Sequence, residues 1–292
     1  MSWIQIKLDS TAEQAEHLED RLLELGACAV TLQDACDQPL YEPELGTTPL
    51  WNQTRIIGLF DAATDMDSVV ERLHISAADH FSAHRVEIVE DKDWEREWMV
   101  HFHPMKFGQR LWICPSWKDV PDPDGVNLML DPGLAFGTGT HPTTALCLEW
   151  LESLDIDNQL VVDYGCGSGI LGIASLLLGA SRFVGVDTDP QALEASTINA
   201  ERNHISHDRF DVHYPDATPA IKADVIVANI LAGPLTSLAP TLAELTRSGG
   251  HLALSGILAE QAKAVSEAYS EWFTMSPPVN KEGWVRLDGI RR

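Results

Sequence analysis

The residues best equipped for chemistry in this chain stand together in Val161-Val162-Asp163-Tyr164-Gly165-Cys166-Gly167-Ser168-Gly169-Ile170-Leu171-Gly172. A short β-branched run ends in an acid, a glycine-rich turn follows, and an apolar helix begins. Glycines let the backbone turn sharply and approach a ligand with no Cβ in the way, which is how an open α/β sheet receives a nucleotide-like molecule. Two chemistries share this turn. Gly167, Gly169 and Gly172 satisfy the dinucleotide pattern G-x-G-x-x-G, and Asp187 stands 24 residues after Asp163, close to the ~20 at which a ribose-binding acid is expected. Asp163-x-Gly165-x-Gly167-x-Gly169 also makes a cradle for S-adenosylmethionine. A carboxylate at that strand end suits a cationic sulfonium amino acid and repels a pyrophosphate. The acid inclines the choice toward the methyl donor; the turn alone leaves both open.

Ligands of such sheets bind outside the carboxyl ends of the strands, so three more strand ends matter. The second ends at Asp187, whose carboxylate can accept two ribose hydroxyls. The third ends near Asp216-Ala217, where a base edge could lie. The fourth ends at Asn229-Ile230-Leu231-Ala232. Asparagine after a strand is often only a turn or helix cap. Here its side-chain carbonyl, or a nearby backbone carbonyl, can instead accept a hydrogen bond from an amine and align the nitrogen lone pair with a methyl group.

These positions need a frame, and the sequence supplies one. From Leu160 onward, strands at 160–163, 183–187, 210–214 and 224–228 alternate with helices running to Leu178, from Asp189-Pro190 to Asn203, and over 234–246. A strand at 250–254 follows the turn Ser248-Gly249-Gly250, then a helix over 259–269 and two closing strands near 272–275 and 283–287. That alternation predicts a doubly wound parallel sheet with a final hairpin, a Rossmann-like domain over 105–292. Before it, residues 105–130 hold two or three short strands. The loop Asp131-Pro132-Gly133-Leu134-Ala135-Phe136-Gly137-Thr138-Gly139-Thr140-His141-Pro142-Thr143-Thr144 is rich in glycine and hydroxyls and is placed to cover a ligand. Residues 1–90 read β-α-β-β-α-β, which predicts a small α+β, ferredoxin-like domain. Residues 91–104, with Trp94 and Trp98 at i, i+4, predict a linker helix. His101-x-His103 lacks a third ligand at sensible spacing, so no metal site is expected.

Composition narrows the function. The chain has 292 residues and a net charge of −24. Residues 1–100 carry 21 acids and 7 bases, a net of −14, and are the more acidic part. Such a surface repels nucleic acid and attracts basic partners. The five cysteines are scattered, with no CxxC pair, and read as reduced thiols of a cytoplasmic protein. No apolar run reaches membrane-spanning length, and the N-terminus does not read as a signal peptide.

Taken together, Asp131–Thr144, Asp163–Gly169, Gly185-Val186-Asp187-Thr188-Asp189-Pro190, Asp224–Pro234, Ser255-Gly256-Ile257-Leu258 and Gly283-Trp284-Val285-Arg286-Leu287, with Trp94 and Trp98, resemble the ribosomal protein L-eleven methyltransferase family. The resemblance runs over most of the chain. It implies an S-adenosylmethionine-dependent enzyme with an N-terminal substrate-recognition domain. The substrate would be a large-subunit ribosomal protein, methylated on lysine side chains and its terminal α-amine. Carried onto this sequence, donor contacts fall on Thr144, Gly165, Asp187 and Asn229, and Phe136, Gly137 and Thr138 lie over the donor. Asn229, Ile230 and Leu231 hold the acceptor nitrogen. The reading of the residues adds Asp163 and Gly167 to the donor site. A monomer is expected, with a mobile linker presenting several substrate sites in turn. No base is identified by the sequence; His141 is the nearest histidine. A nicotinamide oxidoreductase is disfavoured by Asp163 and by the lack of a placed Tyr/Lys pair.

Overall fold

The computed structural model describes residues 3–36, 38, 47–89, 102–131 and 139–292, and the chain divides into two compact units, Met1–Val100 and His101–Arg292. Most of the expected linker helix at 91–104, with Trp94 and Trp98, lies outside the described residues, as do Phe136, Gly137 and Thr138.

In the first unit, alternation of apolar residues makes β1 (Trp3–Thr11), which feeds α1 (Ala12–Glu24). β2 (Ala29–Asp34), β3 (Gln53–Asp61), α2 (Met66–Ala77) and β4 (Ala83–Val89) follow. The four strands pair antiparallel in the order β2-β3-β1-β4, with Ile6 opposite Gly58 and Leu8 opposite Ile56. Ile6, Leu8, Ile56 and Phe60 of the sheet pack against Leu18 and Leu22 of α1 and Leu73 of α2. Asp65 caps α2 by accepting from the Ser68 N–H at 3.3 Å. Thr11 begins α1 without a side-chain cap.

The second unit opens with a small sheet of β5 (Met105–Phe107), β6 (Leu111–Cys114) and β7 (Val126–Met129). The alternating part is α3 (Pro142–Ser153), β8 (Leu160–Tyr164), α4 (Ile170–Leu177), β9 (Arg182–Val186), α5 (Pro190–Arg202), β10 (Phe210–His213), β11 (Ala223–Asn229), α6 (Ala232–Leu245), β12 (Thr246–Leu258), α7 (Ala262–Tyr269), β13 (Phe273–Met275), β14 (Val279–Lys281) and β15 (Trp284–Arg291). The sheet runs β10-β9-β8-β11-β12-β15-β13, with β14 paired to β15. β8 to β12 pair in parallel; β12, β13 and β14 meet β15 antiparallel. Both faces are covered. Val161 and Val225 enter the core under α3 and α4, whereas Val162 and Ile226, one residue on, enter the core under α6 and α7. This explains the continuous apolar runs of β8 and β11.

Two expectations need correction. The Ser248-Gly249-Gly250 segment is no turn between elements: it lies inside a 13-residue β12. Ala223 pairs with Thr246 and Val225 with His251, so the extra residues bulge, with Gly249 at φ +74. Asp224 holds the bulge by pairing with Arg247 and by accepting from the Leu160 N–H at 2.8 Å. The chain also closes with three short strands where two were expected, because β14 adds a second partner along β15.

Gly172, the third glycine of the dinucleotide pattern, is a packing residue. A Cβ there would overlap the ring of Phe183, which is fully buried. Gly172→Ala is expected to destabilise the protein by about 1–3 kcal/mol through overpacking, despite alanine's better helix propensity. Thermal melts should show the loss partly restored in Gly172→Ala/Phe183→Leu; additive losses would disprove the contact.

Candidate active site

The strand order reverses between β8 and β11: the chain leaves β8 toward β9 on one side and later returns to β11 on the other. Such a point opens a crevice at the carboxyl ends of the strands. The glycine turn after β8 lies there. Gly165, Gly167 and Gly169 all take positive φ, at +84, +52 and +77, a region costly to residues with a side chain. The N–H groups of Gly165 and Cys166 both donate to the Val186 carbonyl at the end of β9, at 2.6 and 3.1 Å.

The end of β9 grips the same turn with a side chain. Asp187 Oδ2 accepts from the Gly167 N–H at 2.9 Å, and Oδ1 accepts from the Asp189 N–H at 3.0 Å. Sequence reading missed two further holds, both from α5. Ser196 Oγ donates to the Gly167 carbonyl at 3.0 Å, and Asn199 Nδ2 donates to the Ser168 carbonyl at 2.8 Å. The two lie three apart on one buried helix face, and nothing in the sequence sets them apart from other polar helix residues. A Cβ on Gly169 would sit 2.9 Å from Ser196 Oγ, so α5 sets how closely the turn can fold.

Asp163 is brought to the site from beneath. Its carboxyl is 1% exposed. Oδ2 accepts from the Gly172 N–H at 3.2 Å, while Oδ1 is buried with no hydrogen-bond partner. Burial pushes its pKa up to about 8, the Gly172 bond opposes this, and the negative charge of Asp187 adds to it. Burial likewise holds the neighbouring Cys166 thiol up at about 12. The stability consequence has a definite sign. Between pH ~4 and ~8 the unfolded carboxyl is ionised and the folded one keeps its proton, so the unfolded state binds fewer protons. Stability from this group therefore falls as pH rises across that window. Asp163→Asn should remove the decline, and its melting temperature should gain on the native protein's as pH rises from 4 to 8. Parallel profiles would refute the protonated carboxyl.

Opposite the glycine turn, β11 ends at Asn229. Its Nδ2 donates to Thr144 Oγ1 at 3.2 Å, and among the described residues no group donates to its Oδ1. Thr144 is fully buried in the first turn of α3, so its hydroxyl reaches the crevice through Asn229. Ile230 follows, half-buried, with its Cγ2 against Gly165. Leu231 is 46% exposed and precedes α6. Asp216, in the short 3₁₀ turn after β10, is exposed. His141 is used structurally: its Nδ1 lies 2.7 Å from Thr143 Oγ1, and its ring meets Trp284 edge-on, with centroids 4.9 Å apart. Burial lowers its pKa. Among the described residues no cluster could hold a metal ion, and no helix is long and apolar enough to cross a membrane.

The profile of the family described as ribosomal protein L11 methyltransferase (PrmA) matches residues 2–292. The chain belongs to the ribosomal protein L11 methyltransferase family. A relative from Azotobacter vinelandii named ribosomal protein L11 methyltransferase is 59% identical over 292 residues, covering all of both chains. One of the same name from Marinobacter nauticus is 57% identical over 296 residues, covering all of this chain and 99% of that one. A crystal structure of ribosomal protein L11 methylase from Lactobacillus delbrueckii subsp. bulgaricus is 33% identical. It covers 65% of this chain and 100% of its own, with a TM-score of 0.59. As a member of the L11 methyltransferase family, the chain is an enzyme. Membership also decides between the two ligands that the glycine turn left open, in favour of S-adenosylmethionine.

Proposed function

We propose that the enzyme transfers methyl groups from S-adenosylmethionine to lysine side-chain amines and the N-terminal α-amine of ribosomal protein L11. The observation that carries this reading is the committed amide of Asn229. With its N–H donating to Thr144, its carbonyl is the group left to face an amine at the mouth of the crevice. Asp163, Gly165, Gly167 and Asp187 hold the donor, Asp187 through the ribose hydroxyls, with Thr144 and Asn229 at its edge. Phe136, Gly137 and Thr138 complete the donor site, a role carried by the resemblance alone. The donor supplies an electrophilic methyl on a positively charged sulfur.

A lysine amine has a reference pKa of about 10.4 and must be neutral to attack. An acceptor carbonyl favours one N–H pointing at Asn229 and turns the lone pair toward the methyl carbon, so much of the rate comes from orientation. The nitrogen–carbon bond forms as the carbon–sulfur bond breaks. The electron pair goes to sulfur, and the product ammonium loses its proton to water.

Residues 1–90 then serve as the substrate-recognition domain, 91–104 as the linker and 105–292 as the methyltransferase domain. The order β-α-β-β-α-β with sheet order β2-β3-β1-β4 supports a ferredoxin-like first domain. Its acidity favours steering of a basic ribosomal protein, and a cytoplasmic enzyme fits such a substrate. The test is mass spectrometry of L11 after incubation with enzyme and donor. Methyl-sized increments on lysines and the N-terminus are expected. No increment, or calorimetric binding of NAD in place of S-adenosylmethionine, would overturn the reading.

A further inference from the structure

The segment that faces the acceptor is aimed from a strand to which no role has been given. β11 and β12 pair in register up to Asn229 opposite Ser255. One residue further, both strands depart from regular pairing. Between Leu254 and Ile257, β12 slips against β15, and Gly256 takes φ +85. Ile230 leaves the sheet directly over that glycine. A Cβ on Gly256 would overlap the Ile230 carbonyl oxygen and lie 2.8 Å from its carbonyl carbon and 3.2 Å from its nitrogen. These are backbone atoms, so no rotamer change relieves the clash. On the other side, the Ile230 side chain fills the space where a Cβ on Gly165 would be. The peptide after Asn229 is thus held in a slot whose walls are Gly165 of the donor turn and Gly256 of the β12 bulge.

Ser255 fixes the bulge from beneath. It is fully buried, and its Oγ donates to the Thr143 carbonyl at 3.2 Å. Thr143 precedes Thr144, the residue that orients the Asn229 amide. The bulge and the amide are therefore tied to the same turn of α3.

We infer that Gly256 is a positioning residue for methyl transfer: by admitting the Ile230 backbone it sets where the Asn229 carbonyl stands relative to the donor methyl. The inference rests on the acceptor-facing reading of Asn229. A displacement of this segment should spare the donor, which is held by β8, β9 and α5, and should impair the reaction, which depends on alignment at the ångström level.

The experiment compares Gly256→Ala with Gly283→Ala in the full-length enzyme, with L11 as substrate. Gly283 also has a positive φ, +84, but nothing lies within 4 Å of a Cβ there. It reports backbone strain without the clash. Gly256→Ala should lower kcat by about 10- to 100-fold, with the Kd for S-adenosylmethionine within about three-fold of native; Gly283→Ala should leave both near native. Should Gly256→Ala fail to fold, Ile230→Ala removes the other half of the slot's fit and should show the same split, lower kcat with donor Kd retained. Unchanged kcat in the folded variants, or donor affinity falling in proportion to kcat, would overturn the inference. Native enzyme that leaves L11 unmethylated would instead sink the proposed function.

Discussion

Asp187→Ala is expected to abolish donor binding. The carboxylate serves twice at the end of β9. It accepts from the Gly167 N–H at 2.9 Å and so holds the glycine turn open. Its remaining lone pairs are the ones available to the two ribose hydroxyls of the donor. Hydrogen bonds to a charged group contribute about 1.5–3 kcal/mol each, so loss of two weakens binding by roughly 10²- to 10⁴-fold. Alanine also leaves the Gly167 N–H without its acceptor. Calorimetry with S-adenosylmethionine and with S-adenosylhomocysteine measures the effect, and both ligands should suffer alike because they share the sugar. Asp187→Asn, which keeps one acceptor oxygen, should fall between. A Kd for Asp187→Ala within about three-fold of native would remove Asp187 from the donor site.

The second large effect falls on turnover. Asn229→Ala deletes the carbonyl proposed to face the amine but leaves β8, β9 and α5 unchanged. Donor Kd should change little, while kcat falls by roughly 10²- to 10³-fold, the scale at which loss of one preorganised polar group acts on a transition state. Thr144→Val tests the orientation itself. It removes the hydroxyl that accepts from Asn229 Nδ2, freeing the amide to rotate, so kcat should drop by a smaller factor with the carbonyl still present. Single-turnover measurements at saturating donor separate this from binding. If Asn229→Ala retained full turnover, the acceptor would have to be oriented from elsewhere.

Much of this site can be read from residue types alone, for a physical reason. A glycine turn after an acidic strand end, an acid at the next strand end and an asparagine at the fourth are local signals, and the βα alternation places all of them at one edge of the sheet. What escaped is what depends on neighbours in space. Ser196 and Asn199 look like ordinary helix residues until their acceptors, the carbonyls of Gly167 and Ser168, are known. Asp163 reads as a charge offered to a ligand; that its carboxyl is buried beneath the turn and accepts from the Gly172 N–H depends on packing that no local pattern carries. Ser248-Gly249-Gly250 has turn composition, but the pairing of Ala223 and Val225 absorbs it into β12. Gly256 carries no local signature, since its role lies in the path of a different strand. The described parts of 1–90 form the expected order of elements with boundaries shifted by a few residues, as fraying ends lead one to expect.

The turn proposed to cradle the donor is gripped in advance by Val186, Asp187, Ser196 and Asn199. Little ordering is left to accompany binding. A cradle so formed contacts the parts that spent and fresh cofactor have in common, so the demethylated product competes for it on nearly equal footing. Turnover is therefore expected to slow as the spent cofactor accumulates.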